Sequence, residues 1–96
     1  MFEGKVLVDF YSATCVPCKK LSADLEDLQQ ELKDQYNLDV IKCNIEDNYD
    51  LVEKYDIMSV PTLILFSNNE PLCSSVGYQG KEQLKNFIVE AIRGTA

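Results

Sequence analysis

Residues 5–32 read KVLVDFYSATCVPCKKLSADLEDLQQEL, and three signals follow one another in that stretch. Lys5 to Tyr11 is a short run rich in β-branched and aromatic residues, which has the length and composition of a buried strand. Ser12, Ala13 and Thr14 are small or polar and predict a loop. From Cys15 to about Gln35 the pattern predicts a helix: Leu21, Leu25, Leu28 and Leu32 recur at spacings of four, three and four, on one face. Lys20, Asp24, Glu26, Asp27, Glu31 and Lys33 fall on the other. Pro17 suits the first turn, where its missing N–H costs nothing.

Working outward, Asp39 to Ile45 predicts a second strand. The polar cluster Asn44 to Asp50 can cap a short helix carrying Leu51, Val52 and Tyr55. Ser59-Val60-Pro61-Thr62 breaks the pattern, and residues 62–67, TLILFS, predict a fully buried strand. Asn68-Asn69-Glu70-Pro71 signals a turn into a strand from Leu72 to Val76, so the pair should be a hairpin. Gly77 to Gly80 is a loop. A last helix runs from about Lys81 to Arg93, with Leu84, Phe87, Ile88, Ala91 and Ile92 inward and Gly94 at its end. The order β-α-β-α-β-β-α defines an α/β fold. Its first two strands should be parallel across a right-handed crossover, and its last two antiparallel.

The 96 residues fit one domain, residues 1–96, and at 46% hydrophobic they can fill a core. The chain has no histidine, which excludes a Ser-His-Asp triad, an HExxH zinc site and a Cys-His pair. Nine basic residues against sixteen acidic ones give a net charge of −7, the wrong sign for nucleic acid or an anionic membrane surface. The apolar runs are strand-sized, and the first residues lack the basic head and apolar run of a signal peptide. The expected location is the cytoplasm, where cysteines more often carry chemistry or metal than structural disulfides.

Cys15-Val16-Pro17-Cys18 sits just after a strand and opens a helix, the setting of a redox dithiol. The first turn of a helix leaves N–H groups unpaired and carries partial positive charge, both of which favour a thiolate at Cys15. Lys19 and Lys20 add positive charge nearby. Cys18, one turn on, can close onto Cys15 and displace a substrate from a mixed disulfide. The alternatives are a plain buried cysteine pair or half of a metal site, although Cys43 and Cys73 stand alone rather than as a second close pair. Cys43 should pack as a small core residue, and Cys73, near an edge, could be exposed. Asp9 interrupts the first strand: either it points to solvent, or it is buried with a raised pKa and can accept a thiol proton. Lys42, in the adjacent strand, is its natural charge partner. The Val60–Pro61 bond could be cis, which usually marks a purposeful turn, or a trans bond starting a strand.

VDFYSATCVPCK, followed by SVPTLILF and VGYQGKEQL, resembles the thioredoxin family over nearly the whole chain. The resemblance implies a minimal four-stranded thioredoxin-like sheet flanked by helices, without the family's usual N-terminal strand and helix. It makes Cys15 the nucleophile, Cys18 the resolving cysteine, Asp9 a buried proton acceptor and Lys42 its partner. It makes Pro61 a cis-proline facing the disulfide. Val16, Pro17, Val60, Pro61 and Gly77 then line the substrate-binding surface. The implied activity is thiol–disulfide oxidoreduction of protein disulfides, with no dissociable cofactor. A thioredoxin reductase-type donor would recharge the dithiol, and the protein would act as a monomer. An oxidase or isomerase role and a non-catalytic binding module are the alternatives. The chain departs from the family at four positions: Thr14 and Tyr11 replace tryptophans, Val16 a glycine, and Ala23 a helix-kinking proline. The first three alter the rim around Cys15 and the balance between dithiol and disulfide.

Overall fold

In the computed structural model, which describes residues 2–94, the run KVLVDFY forms β1 (Lys5–Tyr11). There follow α1 (Val16–Tyr36), β2 (Asp39–Asn44), α2 (Tyr49–Lys54), β3 (Thr62–Ser67), β4 (Glu70–Val76) and α3 (Lys81–Arg93). The four strands make one sheet in the order β2-β1-β3-β4. β1 runs parallel to β2 and antiparallel to β3, and β4 is antiparallel to β3. The element order and the mixed pairing agree with the α/β, thioredoxin-like expectation.

β1 is buried at five consecutive positions, because both faces of the central strands are covered. On one face, Leu7, Leu63 and Leu65 pack with Leu21, Leu25, Leu28 and Leu32 of α1 and Leu84, Ile88 and Ile92 of α3. On the other, Val6, Val8, Phe10, Ile64 and Phe66 pack with Phe2, Cys43 and, from α2 and its flank, Leu51, Tyr55 and Ile57. Phe87 and Ala91, read as inner-face residues of α3, are only half-buried and lie at the margin of the first cluster.

Several boundaries differ from the sequence reading; β2 ends at Asn44, one residue before Ile45. Cys15 is the N-cap of α1 rather than its first residue, with extended backbone (φ −85°, ψ 111°), and the helix begins at Val16. At its other end Asn37 takes a left-handed conformation (φ 52°) and its N–H closes back on Lys33. β4 starts at Glu70, not Leu72, because the turn needs only Asn68 and Asn69, whose φ values of 48° and 72° suit asparagine in a two-residue hairpin. Pro71 therefore lies inside the strand. It is tolerated because β4 is at the sheet edge and a register shift sits beside it: Phe66 pairs with Pro71, Leu65 with Cys73, and Leu72 is left over. No helix among the described residues is long and apolar enough to cross a membrane.

Candidate functional site

Strand register brings four loops to one end of the sheet. Phe10 pairs with Thr62, so the chain leaving β1 toward Cys15 and the chain entering β3 from Pro61 meet there. Tyr11 pairs with Asn44, and Thr62 with Val76, which adds the loop after β2 and the loop that starts at Gly77.

At that end Cys15 and Cys18 are joined in a disulfide, with their Cα atoms 5.2 Å apart. The Cys18 N–H donates to Cys15 Sγ at 3.2 Å. A sulfur thus takes the place usually held by a capping oxygen and satisfies one of the orphan donors of the first turn. Cys15 is half-buried and Cys18 is buried, so the first sulfur is the one reachable from outside. Val16 (61% exposed) and Pro17 cover the turn between them and face solvent.

The loop before Cys15 is braced from the loop after β2. The Glu46 carboxylate accepts from Ser12 Oγ at 3.1 Å and from the Ala13 N–H at 3.4 Å. Ile45 N–H donates to the Tyr11 carbonyl at 2.9 Å. The sequence marked Ser12 as a loop residue and Glu46 as part of a polar cluster. Nothing in their spacing joins them.

The Val60–Pro61 peptide bond is cis, which resolves the alternatives left open by the sequence. Pro61 is buried and Val60 half-buried. Thr62 Oγ1 donates to the Ser59 carbonyl at 2.7 Å, and Gly77 N–H to the Pro61 carbonyl at 2.9 Å. Gly77 does this at φ 90°, a left-handed backbone that other residues rarely adopt.

Asp9 is buried rather than solvent-facing, at 0% exposure on the leucine face of the sheet. Among the described residues neither carboxylate oxygen has a hydrogen-bond partner. Burial pushes its pKa from an ordinary 3.8 up to about 6, against the opposing pull of the Lys42 ammonium. Lys42 is opposite Asp9 in the β1–β2 register, as the sequence reading required. The expected pair is nevertheless loose. Lys42 Nζ forms its ion pair with Glu26 at 3.6 Å and lies 5.9 Å from the centre of the Tyr11 ring. A half-exposed ammonium keeps its hydration by turning to partners at the surface, and acts on Asp9 only through space. A groove of about 300 Å³ runs beside this region, with Tyr11, Cys18, Ala23, Glu26 and Lys42 among its walls.

The other two cysteines lie outside the site. Cys43 is buried in the aromatic cluster, and burial, with Asp9 nearby, pushes its thiol up. Cys73 is half-buried against the leucine cluster rather than open at the edge, and burial raises it too.

Residues 2–90 match the thioredoxin family model. The chain is 38% identical over 86 residues to a thioredoxin of Bacillus subtilis, covering 90% of this chain and 81% of the relative. It is 38% identical over 91 residues to a thioredoxin of Alicyclobacillus acidocaldarius, covering 95% and 85%. Among solved structures, a mutant thioredoxin from Halobacterium salinarum superposes with a TM-score of 0.77 at 33% identity, over 94% of this chain and 76% of that one. With a Cys15–Cys18 disulfide at the head of its helix, the protein is a thiol–disulfide oxidoreductase, and the chain belongs to the thioredoxin family.

Proposed function

We propose that the protein reduces disulfides in other proteins, cycling between the Cys15/Cys18 dithiol and the disulfide. The observation that carries this reading is the reachable Cys15 sulfur at the helix N-terminus, receiving the Cys18 N–H at 3.2 Å. In the reduced protein the same N–H and the helix dipole favour the Cys15 thiolate, the attacking species. Cys15 attacks a substrate disulfide; one substrate sulfur leaves as thiolate and a mixed disulfide forms. Cys18 then gives up its proton and attacks Cys15 Sγ. The second substrate sulfur leaves, and two electrons have passed to the substrate.

Asp9 is the acceptor for the Cys18 proton. Its support is a carboxylate with a pKa near 6, buried on the face that α1 covers and free of competing hydrogen bonds. The transfer runs through a water between Cys18 and Asp9, drawn from the groove that Cys18 and Lys42 line, and Lys42 moderates the acid from a distance. Val60, Pro61 and Gly77, with Val16 and Pro17 across the rim, form the wall on which an extended substrate segment pairs. No dissociable cofactor takes part, because the dithiol carries the electrons. A reductase of the thioredoxin reductase class restores it. The protein works as a monomer, since one chain carries both thiols, and in the cytoplasm, where such a donor keeps the pair reduced.

Insulin reduction with dithiothreitol as donor tests the reading. The wild-type protein should accelerate precipitation well beyond dithiothreitol alone, and Cys15→Ser should abolish the acceleration. A reduction potential below about −200 mV is expected; a clearly higher one would point to oxidation or isomerisation instead.

A further inference from the structure

Three polar contacts join α1 to the chain segment that follows β4. Tyr78 bonds Asp24, Lys81 bonds Asp27 at 3.2 Å, and Lys85 bonds Glu31 at 3.1 Å. The two lysine pairs are partly exposed, and such pairs hold little. The first contact differs. Tyr78 and Asp24 are both half-buried, the Tyr78 hydroxyl donates to Asp24 Oδ2, and the acceptor is a carboxylate, which makes the bond charge-assisted. A phenol is protonated at neutral pH in any setting, and the hydrogen bond to Asp24 pushes its pKa higher still.

What this bond connects gives it a consequence. Asp24 is on α1, the helix that carries Cys15 at its cap and Cys18 in its first turn. Tyr78 directly follows Gly77, whose N–H holds the carbonyl of cis-Pro61 at 2.9 Å. A continuous path therefore runs Asp24–Tyr78–Gly77–Pro61, from the helix of the dithiol to the opposite wall of the site. Among the described residues no other side-chain hydrogen bond ties α1 to residues 77–80.

We propose that Tyr78 and Asp24 are positioning residues that hold the Gly77–Pro61 wall in register with the Cys15–Cys18 helix, so that an extended protein substrate meets a preformed cradle. This rests on the substrate wall named under the proposed function. A preformed cradle lowers the ordering cost of binding, so the effect belongs in KM for protein disulfides rather than in the reactivity of the sulfur.

Tyr78→Phe removes the hydroxyl and keeps the ring. Its KM for insulin should rise about fivefold, the size of one net hydrogen bond, with kcat little changed. Its rate with a small disulfide such as dithiobis-nitrobenzoate should match wild type, and hydrogen exchange at the Gly77 amide should speed up. Asp24→Ala should reproduce these changes, Asp24→Asn, which keeps an acceptor, should largely restore wild type, and the double variant should lose no more than either single one. Unchanged Gly77 exchange in Tyr78→Phe, or equal slowing toward insulin and the small disulfide, would overturn the proposal. If the wild-type protein fails to reduce insulin, the reductase reading falls by itself, and Gly77 exchange still decides the clamp.

Discussion

One face of the sheet is packed with leucines and the other with aromatic rings, and among the described residues only the leucine face contains a buried acid. On the aromatic face Phe2 and Phe66 lie 4.5 Å apart between ring centres, and Tyr55 meets Phe66 edge-on at 4.9 Å. Phe66 and Phe10 are fully buried there. On the leucine face Asp9 is equally buried, yet among the described residues neither of its oxygens has a hydrogen-bond partner. An isolated buried carboxylate opposes folding whenever it is ionised. Both faces hold the fold, the leucine face with the larger cluster, and the leucine face in addition carries an uncompensated acid on the side that α1 covers.

The sharpest way to break that contrast is to damage each face in turn. Phe66→Ala should lower unfolding free energy by about 3–5 kcal/mol in urea titration, through lost burial and the cavity left behind. Turnover per folded molecule, measured at a temperature where the variant is still folded, should stay near wild type.

Asp9→Asn should do the reverse. The native state prefers the protonated acid, because its pKa is about 6 against 3.8 in an ordinary setting. That preference is complete below about pH 4 and is lost as pH rises through 6. Removing the charge should therefore add up to about 3 kcal/mol of stability at pH 8 and almost nothing at pH 3.5, as read by denaturant titration at both values. The same variant should release the mixed disulfide up to about a hundredfold more slowly at neutral pH, by stopped-flow fluorescence or quench assays.

The smallest effect is expected from Lys85→Ala. Its ion pair with Glu31 is half-exposed and lies on the leucine side, far along α1 from the cap. A loss of a few tenths of a kcal/mol, with insulin reduction unaltered, would show that proximity to the dithiol matters more than membership of that face.

Much of this was legible in residues 5–32. The strand, the loop and the leucine stripe follow from local pattern, and so does the dithiol at a helix start. Asp9 was visible as an anomaly in a strand, but its burial was not, because alternation cannot choose between two covered faces. The start of β4 was obscured by Pro71: a proline argues against a strand, and only an edge position with a register shift accommodates it. Lys42 was placed correctly by register, but its choice of Glu26 over Asp9 depends on how far a long side chain can stay hydrated. The Glu46 brace and the Tyr78–Asp24 bond join residues 34 and 54 positions apart, and no local rule reaches that far.

The irregularity in β4 bears on how such a molecule behaves in a crowded solution. A protein proposed to pair its backbone with extended chains risks having its other strands recruited as templates. Pro71 lacks an amide hydrogen, and the extra residue Leu72 twists the outer rim away from a straight ladder. An incoming chain that lines up along β4 loses hydrogen bonds at both places. Growth of the sheet outward from β4 is thus discouraged by covalent structure alone, away from the cis-Pro61 end proposed to receive the substrate.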